Sequence, residues 1–142
     1  MTFIMDENIP KNVAMALDLI QSSLNEKYKE NIKVTHIQLL GMRGLQDEKW
    51  VQKLDNDDEN ILITIDKDFK NNPGLRLICR ERKISVILII NKGKNSTVWE
   101  ITLRLFNKWE ELKTLSTKIA KPFLIELPKA SIKKPLKSFP LL

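Results

Sequence analysis

The sequence predicts a three-layer α/β/α fold around a central, mostly parallel sheet of five strands. Three observations predict it. Strand-like and helix-like stretches alternate along the chain. The runs "ILITI" (61–65) and "SVILII" (85–90) are apolar throughout, as strands covered on both faces are. The length, 142 residues, suits one domain with one such sheet.

The elements follow in order. "TFIM" (2–5) is a short apolar run that stops at Asp6, and it reads as the first strand. Asn8 and Pro10 suit the start of a helix. Ile9, Val13, Ala16, Leu17, Ile20 and Leu24 then recur at helical spacing. "IKVTHIQLL" (32–40) is rich in β-formers and gives the second strand, and "GMRG" (41–44) breaks it. Asp47 opens a short helix, "DEKWVQKL", with Trp50, Val51 and Leu54 on one face. "ILITI" is strand three, "PGLRLICRER" (73–82) a helix and "SVILII" strand four. Thr97 and Glu100 form a capping box for a helix to about Lys113, with Val98, Ile101, Leu105, Trp109 and Leu112 on its stripe. "PFLIEL" (122–127) is strand five. A domain over 1–127 and a basic tail over 128–142 result.

Composition narrows the function. With 42% hydrophobic and 30% charged residues, the chain reads as a soluble globular protein. It contains no run near the ~20 apolar residues that span a bilayer. "MTFIMDENIP" lacks the basic start and long apolar segment of a signal peptide. The single Cys79 forms no intrachain disulfide, and it lies in an apolar helical stretch as a buried thiol would. A reducing cytoplasm is the natural setting. The net charge is +6, and residues 128–142 supply +4 of it through Lys129, Lys133, Lys134 and Lys137 with no acid. Such a tail suits either a polyanion such as RNA or a solvated chain end.

The carboxylates carry the functional signal. In a sheet of this kind, ligands bind beyond the carboxyl ends of the strands, where the strand order reverses. Asp6 and Glu7 follow strand one, and Asp66 and Asp68 follow strand three. If those strands are neighbours, the acids meet at one edge, and Asp47 and Glu48 feed the same edge. Converging carboxylates raise one another's pKa values, and a divalent cation removes that cost. All-oxygen ligands point to Mg or Mn rather than zinc, for the chain has one His and one Cys. Each acid also has a structural reading: Asp68 as a turn residue, Asp47 as an N-cap. Glu7 and Glu48 read as supporting or solvated groups. His36 falls inside a strand pattern and reads as a satisfied core or edge histidine. "DNDDE" (55–59) reads as a solvated loop.

These motifs together carry a family resemblance. "MDEN" at the first strand, "GLQDEKWVQKL", then "ILITIDKDFKNNP" before a short helix and "SVILII" resemble a PIN-like domain. The later "WEITLRLFNKWEEL" and "PFLIELPKASI" resemble the small VapC type of prokaryotic toxin–antitoxin pairs. Each motif is short, and their order and spacing say more than any one. The resemblance implies a PIN-like three-layer fold, an acidic pocket for Mg or Mn and a ribonuclease that cuts phosphodiester bonds. It implies an RNA substrate, a cognate antitoxin protein as partner and, as is common in such toxins, a homodimer. By matching position, Asp6, Asp47, Asp66 and Asp68 are its catalytic and metal-binding acids. Lys67 and Lys70 fall where basic residues follow the third-strand aspartate. With Lys133 and Lys134 of the tail they are the candidate nucleic-acid contacts. The longer family pattern has a further acid after strand four, where this chain reads "NKGK", which implies a reduced site with one firm ion and a second that arrives with substrate. Exposed Trp50 or Phe69 would favour single-stranded RNA, although both suit the core.

Three other readings remain. "DKD" also matches the Asp-x-Asp of haloacid-dehalogenase phosphotransferases. There it closes the first strand of a larger fold, and here only 142 − 68 = 74 residues follow Asp68. A receiver domain has similar acids but needs a Ser or Thr closing strand four, where Asn91 stands. The third is a PIN-like binding module with little or no nuclease activity.

Overall fold

The computed structural model describes residues 1–42, 44–45, 47–54, 59–65, 69–91, 97–128 and 135–141, and for Asp47, Glu48 and Lys70 the backbone alone. Six strands form one sheet in the order β2-β1-β3-β4-β5-β6. They are β1 (Thr2–Met5), β2 (Lys33–His36), β3 (Asn60–Thr64), β4 (Ser85–Ile89), β5 (Phe123–Leu127) and β6 (Lys137–Pro140). The first five run parallel, and β6 pairs antiparallel with β5. The helices are α1 (Lys11–Tyr28), α2 (Asp47–Gln52), α3 (Pro73–Glu81) and α4 (Val98–Lys118), with a 3-10 turn over Phe69–Asn71. The fold is therefore mostly parallel α/β with helices on both faces.

Residue alternation along the strands explains why they are apolar throughout. Successive side chains point to opposite faces. Phe3, Met5, Ile61, Ile63, Ile87 and Ile89 face one layer, with Val13, Ala14 and Leu17 of α1 and Ile101, Leu105, Trp109 and Leu112 of α4. Ile4, Leu62, Val86 and Leu88 face the other, with Trp50 and Val51 of α2 and Leu75 and Cys79 of α3. The interior strands thus need both parities apolar. Cys79 is a buried free thiol in this second layer.

The helix starts differ in their chemistry. Thr97 Oγ1 accepts the Glu100 N–H at 3.1 Å, and Asn72 Oδ1 accepts the Leu75 N–H at 3.0 Å with Pro73 following. At α1 Pro10 itself occupies the cap position and no side chain caps, so Asn8 does not play the role its sequence suggests. The α1 stripe is also shifted. Ala14 and Gln21 are buried, whereas Ile20 is exposed, because α1 turns a polar group toward α4. Gln21 Oε1 accepts from Trp109 Nε1 at 2.9 Å and from Lys113 Nζ at 3.2 Å. Lys113 also pairs with Glu30 at 3.0 Å and Glu110 at 2.8 Å. Its buried ammonium is thus compensated, as burial requires.

The sheet has six strands, not five. The added strand, β6, comes from the stretch that reads as a basic tail. Its residues are exposed, but its flanks are anchored. Leu136 packs in the α1/α4 layer and Leu141 in the α2/α3 layer, so the segment grips the sheet edge from both sides. Leu136 N–H also donates to Glu111 Oε1 at 2.9 Å, while Lys108 pairs with Glu111 Oε2 at 2.9 Å. Truncation at 128 would therefore remove a strand and two core residues, not a free tail.

Burial acts to raise the Glu111 pKa, but the Leu136 amide and the Lys108 ammonium outweigh it and leave the pKa lowered from 4.5. A lowered carboxylate pKa contributes stability that is present above the unfolded value and is lost as pH falls through the folded one. The Leu136 amide should therefore lose hydrogen-exchange protection as pH drops below about 4.5, before the amides of β3 and β4 do. In Glu111→Gln the Leu136 amide should exchange faster at neutral pH, and the acid-dependent step should vanish. An unchanged step in the variant would assign it to another group.

Candidate active site at the β1–β3 switch

β1 lies between β2 and β3, and the chain leaves β1 toward α1 on one face of the sheet and β3 toward α3 on the other. The carboxyl ends of β1 and β3 therefore border the crevice where ligands bind in such sheets. The last rungs flank Asp6 on both sides. Met5 O accepts the Ile37 N–H at 3.1 Å, and Asp6 N–H donates to Ile63 O at 3.2 Å.

Asp6 is 4% exposed. Its Oδ1 accepts the Asn8 N–H at 3.0 Å, which turns the chain off the strand. Its Oδ2 accepts a hydrogen bond from the Thr64 hydroxyl. Thr64 ends β3 and is itself buried, so the bond ties the ends of β1 and β3 together. Each carboxylate oxygen has two lone pairs, so these bonds do not by themselves exclude a cation.

Two further contacts shape the same edge. His36 is fully buried. Its Nδ1 accepts the Gln38 N–H at 3.0 Å, so Nε2 carries the proton and donates to Ile9 O at 2.5 Å. The ring locks the end of β2 to the turn after Asp6, the structural role its sequence context suggests. β2 ends at His36 rather than near residue 40, because the Leu39 and Leu40 N–H groups turn back to His36 O at 2.9 and 3.2 Å. Glu7 Oε1 accepts the Gly44 N–H at 2.5 Å. Gly44 has φ +79°, a conformation that favours glycine. This bond fastens the loop before α2 to the end of β1, and α2 begins three residues later at Asp47.

The structure thus brings the end of β1, the end of β3 and the approach to α2 to one edge. Of the candidate acids, Asp6 is the one whose side chain is described. Asp47 is placed by its backbone at the start of α2. Asp66, Lys67 and Asp68 lie outside the described residues, as do Lys133 and Lys134, and Lys70 is placed by its backbone alone in the 3-10 turn. Among the described residues no three His, Cys, Asp or Glu side chains gather as a metal site. Trp50 and Phe69 are each 1% exposed and belong to the core. Thr64 is a site residue that sequence reasoning overlooked. Its signal was a lone hydroxyl in the apolar run "ILITI".

Burial of the Asp6 carboxylate makes Thr64 energetically important. Thr64→Val keeps the shape and removes only the hydroxyl. It should destabilise the fold by about 1–3 kcal/mol, the cost of an unmet buried polar group, as read by urea denaturation. Unchanged stability would show that the hydroxyl does not hold the carboxylate.

No helix among the described residues is long and apolar enough to cross a membrane. No curated protein and no solved structure matches the chain. The family model described as "PIN like domain" matches residues 1–91, which is 91 of 142 residues. The match takes in β1 through β4 with α1, α2 and α3 and ends at Asn91, so it contains the whole crevice just described. The chain belongs to the PIN-like domain family.

Proposed function

We propose that this protein is a metal-dependent endoribonuclease that hydrolyses RNA phosphodiester bonds. The observation that carries the proposal is the buried Asp6 carboxylate at the switch point of a PIN-like sheet, tied to the end of β3. Nuclease activity is common among PIN-like domains. The VapC-type resemblance of the sequence adds the role of toxin in a toxin–antitoxin pair. That role brings a cognate antitoxin as partner, a homodimer and a cytoplasmic setting.

The donor chemistry suits Mg or Mn. Asp6 offers carboxylate oxygens. The chain's only histidine is engaged at both ring nitrogens by backbone groups, and its only cysteine is buried in the α2/α3 layer. Neither is left as a soft ligand at this edge. Asp6, Asp47, Asp66 and Asp68 would hold the ion. When bound, such an ion lowers the pKa of water and neutralises charge on phosphoryl oxygens. Within the chain, Thr64 and the Asn8 amide fix the orientation of the Asp6 carboxylate. Lys67, Lys70, Lys133 and Lys134 would contact substrate phosphates and make binding salt-dependent.

The second reading is a PIN-like binding module without nuclease activity. It is favoured by the hydrogen bonds that both Asp6 oxygens accept from the protein, which give the residue a structural task.

Asp66→Asn separates the two. It is nearly isosteric and removes one negative charge. If the acids repel without metal, the variant should melt in EDTA no lower than wild type. It should also lose most of the Mn-dependent rise in Tm. Metal stabilisation is worth several kcal/mol, so RNA cleavage should fall about a hundredfold or more. A variant that melts lower in EDTA, gains as much from Mn as wild type and still cleaves would make Asp66 a structural residue. A wild type with no Mn- or Mg-linked rise in Tm and no cleavage would favour the binding module.

A further inference from the structure

Glu7 follows Asp6 in the chain but does not share its surroundings. Asp6 is buried, whereas Glu7 is exposed. The backbone around Glu7 is nonetheless fixed. The Asp6 carboxylate accepts the Asn8 N–H, and Asp6 O accepts the Ile9 N–H at 3.2 Å. Ile9 is fully buried, and His36 holds its carbonyl. Glu7 thus projects from a turn that is closed at both ends and that begins at Asp6.

The partner of its carboxylate lies in the loop between β2 and α2. Several backbone hydrogen bonds of that loop are local. Gly41 N–H donates to Gln38 O at 3.2 Å, Met42 N–H to Ile37 O at 3.0 Å and Leu45 N–H to Met42 O at 3.4 Å. These bonds shape the loop without fastening it to the end of β1. The Gly44 N–H to Glu7 Oε1 bond, across 37 positions, does fasten it.

Gly44 shows that this bond is built into the backbone. Its φ is +79°, yet a Cβ added there would meet nothing within 4 Å. Glycine is therefore required by the backbone conformation and not by lack of room. Asp47 opens α2 three residues later, so its Cα lies within about 11 Å of the Gly44 Cα. Trp50 and Val51 anchor the body of α2 in the core. Glu7 sets how the approach to Asp47 lies against the end of β1.

We propose that Glu7 is a positioning residue, whose carboxylate holds Gly44 so that the start of α2 keeps a fixed place relative to Asp6, and that it does not itself ligate the ion. The inference rests on the metal-dependent reading above and adds how Asp6 and Asp47 are kept in register. A charged acceptor makes the stronger bond to an amide, and an amide oxygen in its place still accepts.

The test uses the full-length protein and MnCl2 alone, with Mn affinity read by isothermal titration calorimetry well below the Tm. Glu7→Ala should weaken Mn binding roughly ten- to hundredfold, as loss of a group that orients a metal ligand does. Glu7→Gln should restore much of it. Gly44→Ala removes no acid and creates no clash, yet it should weaken Mn binding to a similar extent, because a side chain disfavours φ +79°. The two changes act at opposite ends of one bond. The double variant should therefore bind Mn about as either single variant does. By hydrogen exchange in EDTA, the Gly44 amide should lose protection in Glu7→Ala and keep it in Glu7→Gln. If Glu7→Gln loses as much Mn affinity as Glu7→Ala while its Gly44 amide stays protected, Glu7 is a ligand and the proposal falls. Wild-type Mn affinity in Glu7→Ala, with a lower Tm in EDTA, would make the bond purely structural and overturn the proposal while leaving the nuclease reading intact. A wild type that binds no Mn would overturn both readings together, whatever the protection of the amide.

Discussion

The constraint on which the rest depends is that β1 is buried on both faces and paired along both edges. A strand so enclosed cannot end freely, because its last polar groups are out of reach of water. They must be met by neighbours, and the chain must still escape to start α1. Asp6 meets this need with one side chain. It turns the backbone through the Asn8 amide and binds the end of β3 through Thr64. His36 and Glu7 then secure the two segments that arrive at the same place, the turn after β2 and the loop before α2. Closure of the sheet and the meeting of these segments at one edge are thus the same event. A residue that is needed to finish the strand also lies at the carboxyl edge where the crevice opens.

This double duty bears on how an Asp6 substitution should be read. Asp6→Asn changes charge and hydrogen bonding together. An amide oxygen can still accept one of the two bonds, but its NH₂ group cannot accept the other. Lost activity in that variant would mix a structural effect with a chemical one. Thr64→Val isolates the structural part.

Much of the fold was legible in the sequence because the information was local. β1, β3, β4 and β5 announce themselves as apolar runs, α2 and α4 as helical stripes, and α4 also by its Thr97 cap. What was missed depends on distant partners. β6 is written "KSFP", with a lysine, a proline and no apolar alternation. It is a strand because β5 has an open edge and because Leu136 and Leu141 find a hydrophobic layer on either side. Proline is tolerated there since an edge strand has amides that need no partner in the sheet. Gln21 is polar yet buried, because Trp109, 88 positions away, needs an acceptor. The far end of α4 runs to Lys118, past the expected Lys113, as Leu115 still packs on the core and Ser116 bonds back to Leu112 O at 2.7 Å. At the site, the position of Asp6 could be read from where an apolar run stops. Its bond to Thr64 could not, for it joins residues 58 positions apart.

The two outer edges of the sheet are closed in different ways. On β2, the Val34 N–H is taken by Asp18 Oδ1 at 2.8 Å. On β6, Lys137 and Pro140 occupy a four-residue strand. A carboxylate over one amide, and a short strand with a missing amide and a charge, are both poor templates for a further chain. Strand-to-strand polymerisation, the route by which open α/β sheets grow into fibrils, is therefore discouraged at either end. Any association of two copies is steered toward helix faces, which leaves the central sheet a closed unit of six strands even at high concentration.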